Sequence, residues 1–151
     1  FAVLRFNFRG VGRSEGGWSG GTGEIEDVAA AVRAADDAYP DDRRGLAGWS
    51  FGAHTALRWQ ARADDARRYA GIAPPVSMTG DSDLPAPVAL PPAERLLVIG
   101  DRDQFTAAAD LQDYAERAGA RFEVLAGSDH FFAFREGQLA DLLIEHFSAA
   151  G

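Results

Sequence analysis

The residues best suited to chemistry centre on Ser50, which lies between Gly48 and Gly52 in the stretch Gly-Leu-Ala-Gly-Trp-Ser-Phe-Gly-Ala-His-Thr, residues 45–55. A serine at a sharp turn from a strand into a helix needs small residues two positions before and after it, because larger side chains would collide where the chain reverses. Such a turn projects the serine hydroxyl outward and directs the next backbone amide at a neighbouring oxygen. The spacing therefore predicts Ser50 as a nucleophile, with the Phe51 amide as an oxyanion donor.

A serine hydroxyl is a weak nucleophile, so it needs a general base, and that base needs an acid to orient it. On a sheet of parallel strands, both partners are expected at the ends of later strands, in the order serine, acid, histidine. Asp103 follows one predicted strand in Gly-Asp-Arg-Asp-Gln-Phe, and His130 follows the next in Gly-Ser-Asp-His-Phe-Phe. The interval between these two residues fits one helix and one strand.

Two other aspartates compete for the role of the acid. Asp103 is preferred to Asp101 because it lies a turn beyond the strand and can reach the histidine loop, whereas Asp101 is expected to cap the following helix. Asp129, next to the histidine, is expected to form a turn.

Two other histidines have simpler interpretations as packing residues. His54 is one helical turn after Ser50 but should point from the flank of the helix, so we expect it to pack. His146 belongs to an apolar helical stripe and is expected at the edge of the core. Three histidines spread in this way do not predict a metal site.

The elements that must position these residues alternate along the chain. Strands are predicted at 1–8, 45–49, 69–73, 95–100 and 122–125. Helices are predicted from about Glu24 to Pro40, at 51–63, from Ala108 to a stop at Gly119, and through the apolar stripe of residues 139–147, with a loop at 74–92. Strands that alternate with crossover helices predict one α/β domain over 1–151, a three-layer and mostly parallel sheet with helices on both faces.

Composition excludes several classes of function. The 151 residues are 46% hydrophobic and carry a formal charge of −8, so neither nucleic acid nor an anionic membrane is expected as a partner. The absence of cysteine excludes disulfides and thiolate catalysis, and no apolar run reaches the ~20 residues of a membrane span. The cytoplasm is the expected compartment. The chain begins at Phe1 within a strand-like run and without methionine, which suggests a fragment.

The glycine-rich loop 10–17 offers a competing interpretation as a dinucleotide site. Its Gly-x-Gly is present, but Glu15 occupies the place of the third glycine, and the following helix begins only near Glu24. There is no Gly-Lys-Ser motif either, since the chain contains no lysine. We therefore interpret the loop as one wall of a substrate pocket, with Arg9, Gly10 and Trp49 as substrate-binding residues.

The chain resembles the α/β-hydrolase superfamily, and especially its small hydrolases without a lid. The resemblance covers essentially the whole chain in the right order, through the motifs Asn-Phe-Arg-Gly-Val-Gly-Arg-Ser-Glu-Gly (7–16), Gly-Glu (23–24) with Asp27, Gly-Trp-Ser-Phe-Gly (48–52), Gly-Asp-Arg-Asp (100–103) and Asp-His-Phe-Phe (129–132). It implies a triad in which Ser50 is the nucleophile, His130 the general base and then acid, and Asp103 the residue that fixes the imidazole.

The function implied is a serine hydrolase that cleaves an ester or related acyl bond of a small molecule, without a cofactor. An acyltransferase that uses the same triad is the enzymatic alternative, and a catalytically idle interaction domain is the non-enzymatic one. The oligomeric state stays open.

The chain departs from the family pattern in two ways. Family members have about three strands before the one matching 1–8, and the loop after the third strand supplies a second oxyanion amide. That third strand would lie between the strands at 1–8 and 45–49, so the sequence predicts the C-terminal two thirds of the fold with a slot in its sheet. The segment 74–92 is also too short for a cap domain, which implies an open, shallow site.

Overall fold

The computed structural model describes residues 2–40, 44–77 and 83–149. In chain order, the elements are α1 (Gly23–Ala38), β1 (Gly45–Trp49), α2 (Phe51–Ala63), β2 (Arg68–Ile72), a short 3-10 helix (Pro87–Ala89), β3 (Arg95–Gly100), α3 (Ala108–Arg117), β4 (Arg121–Leu125) and α4 (Glu136–Ser148). The chain divides into two compact units, residues 1–43 and 44–151. One domain over 1–151 stays a prediction.

The second unit is built on a four-stranded sheet in the order β1-β2-β3-β4, in which every neighbouring pair is parallel. All six residues of β3 are buried, because it is a central strand with its two faces covered. Parallel strands end at the same edge of the sheet, so the residues after β1, β3 and β4 are brought to one edge. The predicted α/β class with a parallel sheet is confirmed.

Two glycines of β1 show that helices cover both faces of this sheet. A Cβ at Gly45 would collide with the ring of Phe147 in α4, whereas a Cβ at Gly48 would lie 2.5 Å from the backbone nitrogen of Ala53 in α2. Residues three apart in a strand point to opposite faces. Helices α2 and α4 therefore pack on opposite sides of β1, and the close approach of each helix requires glycine.

The core lies between the sheet and these helices, with fully buried Leu57, Leu96, Ile99 and Leu111 among its members. Tyr69 is also completely buried, and its hydroxyl donates a 2.8 Å hydrogen bond to the Ala53 carbonyl. Burial raises the pKa of this phenol, because the ionised form cannot be solvated there. The hydrogen bond from Tyr69 to Ala53 links β2 directly to α2.

The strand predicted at 1–8 is wrong for the residues described there. Residues 2–8 have no regular structure, and Val3 is 75% exposed. A run rich in apolar residues becomes a strand only where a neighbouring strand supplies hydrogen-bond partners, and residues 2–8 have no such neighbour among the described strands. In the family pattern, a further strand lies beside this segment, and the described strands do not include it. The strand propensity of residues 2–8 is therefore not enough to form a strand.

The other predicted elements are confirmed with small shifts in their bounds, except that residues 78–82 of the predicted loop 74–92 lie outside the described residues. β2 begins one residue before the predicted segment, and the predicted loop 74–92 contains the 3-10 turn at Pro87–Ala89. Gly119 follows α3 with φ +62, the left-handed conformation expected of a glycine at a helix end. No helix in the described ranges is both long and apolar enough to cross a membrane.

Candidate active site

Ser50 lies at the sharp turn between β1 and α2, as the sequence predicts. Its φ of 51° and ψ of −120° lie in a region that residues with a side chain rarely adopt. The Ser50 amide donates a 2.7 Å hydrogen bond to the Ile72 carbonyl of β2, and its carbonyl accepts the amide of His54 at 3.0 Å. Strong hydrogen bonds at both ends therefore hold a strained backbone. Strain of this kind concentrates at functional sites.

The two glycines that flank Ser50 differ in whether a side chain would fit at their positions. A Cβ at Gly48 would lie 2.5 Å from backbone atoms of both Gly52 and Ala53, so only glycine fits at that position. A Cβ at Gly52 would meet no described atom within 4 Å. The steric argument is confirmed for Gly48 and wrong for Gly52, because α2 turns its own first residues toward Gly48 and leaves open space beside Gly52.

The Asp103 carboxylate is held by the loop that follows β3. Its Oδ1 accepts the amides of Phe105 at 2.8 Å and Thr106 at 3.0 Å, which fixes the orientation of the group. The other oxygen, Oδ2, lies 2.8 Å from Nδ1 of His130. Only 1% of the Asp103 side chain is exposed, so little water competes for these bonds. An ionised carboxylate only accepts, so His130 carries its proton on Nδ1 and presents Nε2 as the basic nitrogen.

The backbone amide and carbonyl of His130 each form a hydrogen bond with a side chain. Its amide donates to Oε1 of Gln104 at 3.3 Å, and its carbonyl accepts Nε1 of Trp49 at 3.1 Å. Trp49 is the residue directly before Ser50, so this bond joins the histidine loop to the turn that bears the serine. Together with the Asp103 contact, His130 is held at three points.

Asp101 and Asp129 also have defined partners. Asp101 Oδ1 accepts the Gly127 amide at 2.7 Å and thus joins the loops after β3 and β4. The prediction that Asp101 caps the next helix is therefore wrong, because α3 begins seven residues later and its N-cap is Ala107. Asp129 accepts the Phe131 amide at 3.0 Å, so its predicted role as a turn former is confirmed.

The other two histidines pack as predicted. His54 is 1% exposed, and its Nδ1 lies 2.9 Å from the Pro75 carbonyl. His146 is 8% exposed at the core edge, and its Nε2 lies 3.0 Å from the Tyr69 carbonyl. Burial lowers the pKa of His146, although the hydrogen bond to Tyr69 partly opposes this shift.

Three exposed aromatic rings surround the imidazole of His130. The ring centroids of Phe105, Phe131 and Trp49 lie 4.7, 5.6 and 6.1 Å from that of His130. The sequence predicts a site role for Trp49 alone. Phe105 and Phe131 could have been recognised by their positions, since one comes two residues after Asp103 and the other directly after His130.

The loop that carries His130 is fastened to the core by the side chain of Phe132, which is 2% exposed. Phe132 has φ +55, and its amide donates to the Asp129 carbonyl while its carbonyl accepts the Arg135 amide. The unusual backbone turns the Phe132 ring inward, while the preceding ring of Phe131 stays 55% exposed.

The glycine-rich loop 10–17 belongs to the first unit, and the segment that follows it binds the carboxylate of Glu24. Glu24 accepts hydrogen bonds from the amide and hydroxyl of Ser19 and from the amide of Gly21, at 2.8 to 3.0 Å. Burial would raise the pKa of Glu24, but these hydrogen bonds outweigh it and lower the pKa. Within loop 10–17, the amides of Gly10, Val11 and Ser14 donate to backbone carbonyls. These amides are therefore not available to a phosphate, which argues against the dinucleotide interpretation.

Arg9, one of the predicted substrate-binding residues, is paired with Asp27. The Arg9 Nη2 lies 2.8 Å from Asp27 Oδ1, and the Arg9 amide donates to Asp27 Oδ2 at 3.0 Å. Hydrogen bonds from Arg9 lower the pKa of Asp27. Gly10 has φ +73 at the turn that follows. The assignment of Arg9 and Gly10 to a substrate pocket stays a prediction.

The arrangement in the second unit combines an oriented imidazole with a serine on a strained turn. Phe51 is the first residue of α2, so its amide lies at the positive end of the helix dipole, where developing negative charge is stabilised. In the described ranges, no three His, Asp or Glu side chains are grouped so that they could hold a metal ion. An oriented imidazole and a serine hydroxyl on a strained turn offer acid–base and nucleophilic chemistry.

The sequence matches a known protein family and a relative in another organism. A family model described as the alpha/beta hydrolase fold matches residues 1–117, a span that includes Ser50 and Asp103. An uncharacterized protein of Rickettsia prowazekii is 30% identical over 156 residues, which cover 97% of this chain and 64% of that protein. The chain thus spans slightly less than two thirds of the length of this relative.

Two solved structures are similar over nearly the whole chain. An alpha-beta serine hydrolase homologue from Coxiella burnetii is 33% identical with a TM-score of 0.80, and the match covers 93% of this chain and 66% of that one. An a/b serine hydrolase without lid from Xanthomonas campestris is 31% identical with a TM-score of 0.81, and the match covers 97% and 67% of the two chains.

Proposed function

Because the chain belongs to the alpha/beta hydrolase family, we propose that it is a serine hydrolase that cleaves an ester or related acyl bond through an acyl-Ser50 intermediate. The observation that carries the proposal is the 2.8 Å contact between Asp103 Oδ2 and His130 Nδ1, on loops at the edge of the sheet where β1 turns into α2. Similarity to two proteins described as serine hydrolases supports the same reaction class.

In the first half of the proposed reaction, Nε2 of His130 takes the proton of the Ser50 hydroxyl as its oxygen attacks the carbonyl carbon of the ester. The tetrahedral intermediate carries its negative charge on the former carbonyl oxygen, to which the Phe51 amide donates a hydrogen bond. When the intermediate collapses, the bond to the alcohol oxygen breaks, and His130 returns the proton to that oxygen. The products of this half are a free alcohol and acyl-Ser50.

In the second half, water takes the place of the alcohol. His130 removes a proton from the water as its oxygen attacks the acyl carbon, and the proton then passes to the Ser50 oxygen as the acid leaves. Asp103 stays ionised throughout and stabilises the imidazolium that forms in each half. Its two hydrogen bonds from the Phe105 and Thr106 amides support this role, because they keep Oδ2 directed at His130.

Labelling by a fluorophosphonate probe tests the proposal, since such probes react with an activated serine and not with an ordinary one. We expect the protein to be labelled and to hydrolyse p-nitrophenyl acetate. We expect Ser50→Ala to show neither labelling nor hydrolysis. Ser148→Ala is the matched control, because Ser148 is exposed at the end of α4 and should leave labelling unchanged. Persistent labelling of the Ser50→Ala protein would remove Ser50 from the role.

A further inference from the structure

The rings of Phe105 and Phe131 are unusual for their exposure beside a buried histidine. Phe105 is 66% exposed and Phe131 55%, whereas His130 is 5% exposed. Both rings meet the imidazole edge to face, at interplanar angles of 76° and 85°. Trp49, directly before Ser50 in the chain, is 47% exposed and extends the same patch, with its ring 6.1 Å from that of Phe131.

The backbone holds both phenylalanines in place although their rings face solvent. The Phe105 amide is bound by Asp103 Oδ1 at 2.8 Å, and the Phe131 amide by Asp129 Oδ1 at 3.0 Å. Their ring centroids lie 6.4 Å apart at 86°. A fixed, exposed and uncharged aromatic surface of this kind is typical of a ligand contact rather than of core packing.

The chemistry of the proposed reaction decides which part of a substrate would meet these rings. His130 must donate its proton to the oxygen of the departing alcohol, so that oxygen lies within hydrogen-bond distance of Nε2. The carbon chain of the alcohol therefore begins next to His130. The acyl chain is attached on the other side of the carbonyl carbon, which is bonded to Ser50 at that moment.

We propose that Phe105 and Phe131, together with Trp49, form a subsite for the alcohol part of the substrate, and that this part is an uncharged aromatic or similarly apolar group. The proposal rests on the proposed hydrolase function. An aromatic alcohol can meet the Phe105 and Phe131 rings edge to face or offset, arrangements that favour aromatic pairs over aliphatic contacts of equal area.

Benzyl acetate and methyl acetate provide the test, because they form the same acetyl-enzyme and their alcohols are of similar acidity. Any difference between them in kcat/KM therefore arises from the alcohol part. We expect the protein to prefer benzyl acetate, and we expect Phe105→Ala and Phe131→Ala each to lower the benzyl-to-methyl ratio by about tenfold, the size usual for loss of an apolar pocket contact. Phe134→Ala is the matched control, because Phe134 lies on the same loop and is 93% exposed.

A second comparison separates an effect on the alcohol subsite from a general loss of activity. The ratio for methyl butyrate over methyl acetate depends on the acyl side and should be the same in all variants. Inhibition by free benzyl alcohol should weaken by about tenfold in the Phe105 and Phe131 variants, and this readout does not depend on a change in turnover.

The outcomes distinguish failure of this inference from failure of the hydrolase proposal. If the protein is labelled by the fluorophosphonate and hydrolyses both acetates, but the two phenylalanine variants keep the wild-type ratio, the alcohol subsite is wrong and the hydrolase stands. The same conclusion follows if these variants change only the oligomeric state, because the two rings would then lie in an interface between protein chains. If the wild-type protein neither reacts with the probe nor hydrolyses any ester, both proposals are wrong.

Discussion

Asp103 and His130 are 27 residues apart in the sequence, and a 2.8 Å hydrogen bond joins Asp103 Oδ2 to His130 Nδ1. The other carboxylate oxygen accepts two backbone amides of the same loop. One carboxylate therefore both shapes its own loop and determines which imidazole nitrogen is left to accept a proton.

Asp103→Asn is expected to retain the loop and lose most of the activity. The amide oxygen of asparagine can still accept the Phe105 and Thr106 amides, so its NH2 group must face Nδ1 of His130. That donor forces the imidazole into the opposite tautomer, with its proton on Nε2, where it cannot take the proton of Ser50. We expect kcat for p-nitrophenyl acetate to fall by about 10³ to 10⁴, with little change in the thermal midpoint.

Asp129→Asn is the control for this substitution, because Asp129 Oδ1 accepts the backbone amide of Phe131 in its turn. We expect its kcat to remain within about threefold of the wild type. An equal loss in both variants would mean that the negative charge of the region, and not the Asp103–His130 bond, determines the rate.

Ser50→Gly is expected to stabilise the protein while it abolishes activity. Ser50 has φ 51 and ψ −120, a conformation that costs a residue with a side chain about 1 to 3 kcal/mol, and glycine escapes this cost. The greater freedom of glycine in the unfolded chain offsets part of this gain. The free energy of unfolding of Ser50→Gly should therefore exceed that of Ser50→Ala by about 1 kcal/mol. Urea unfolding of the two variants measures the difference.

Asp64→Gly is the matched control, since Asp64 has φ 50 at the end of α2, away from the serine. It should change stability without loss of fluorophosphonate labelling. If Ser50→Gly is less stable than Ser50→Ala, the serine turn is not strained.

Trp49→Phe is expected to lower kcat while the fold persists. The substitution keeps an aromatic ring but removes the Nε1 donor, which leaves the His130 carbonyl without its 3.1 Å bond to the residue next to Ser50. A hydrogen bond of this kind contributes about 0.5 to 1.5 kcal/mol, so kcat should fall by about two- to thirteenfold. Trp59→Phe, in the buried stripe of α2, should leave kcat unchanged, and an unchanged kcat in Trp49→Phe would show that this bond does not position the base.

His146 is expected to make the protein less stable in mild acid. Burial lowers the pKa of the folded His146, with Arg68 and Arg121 adding to this effect while the Tyr69 carbonyl and Glu94 oppose it. Between the unfolded pKa, about 6.5, and the lower folded pKa, the unfolded chain binds a proton that the folded chain does not. The free energy of unfolding should therefore fall as pH drops from about 7 through this window, by at most about 1.4 kcal/mol per pH unit from this residue.

Urea unfolding of the wild type and of His146→Gln at pH 7.5 and 5.5 checks this expectation. Glutamine keeps a donor for the Tyr69 carbonyl and does not titrate, so its stability should depend less on pH. Identical pH dependence in the two proteins would assign the acid sensitivity to other groups.

Elements whose partners lie within the described sheet were predictable from the sequence. β3 was predicted with its correct bounds, because its apolar run is fully buried on both faces and needs no alternation of polar residues. The sequence also predicted the proximity of Asp103 and His130, since parallel strands end at one edge and both residues follow strand ends.

The failed predictions share a physical cause. Residues 2–8 have a strand-like composition, but a strand exists only through its neighbours, and composition carries no information on them. The position of Asp101 before a helix predicts a helix cap, whereas its carboxylate accepts the amide of Gly127 in a second loop. The partner of a loop carboxylate depends on the path of a second loop, and a local pattern cannot provide that path.

The indole of Trp49 also has an electrostatic consequence for His130. The two ring centroids lie 6.1 Å apart and the planes are inclined by 32°, so the indole is a near neighbour of the imidazole. The face of an indole carries partial negative charge and attracts a nearby cation. In the proposed reaction His130 becomes an imidazolium while it holds the proton of Ser50, and attraction to the indole would favour that intermediate over the resting state.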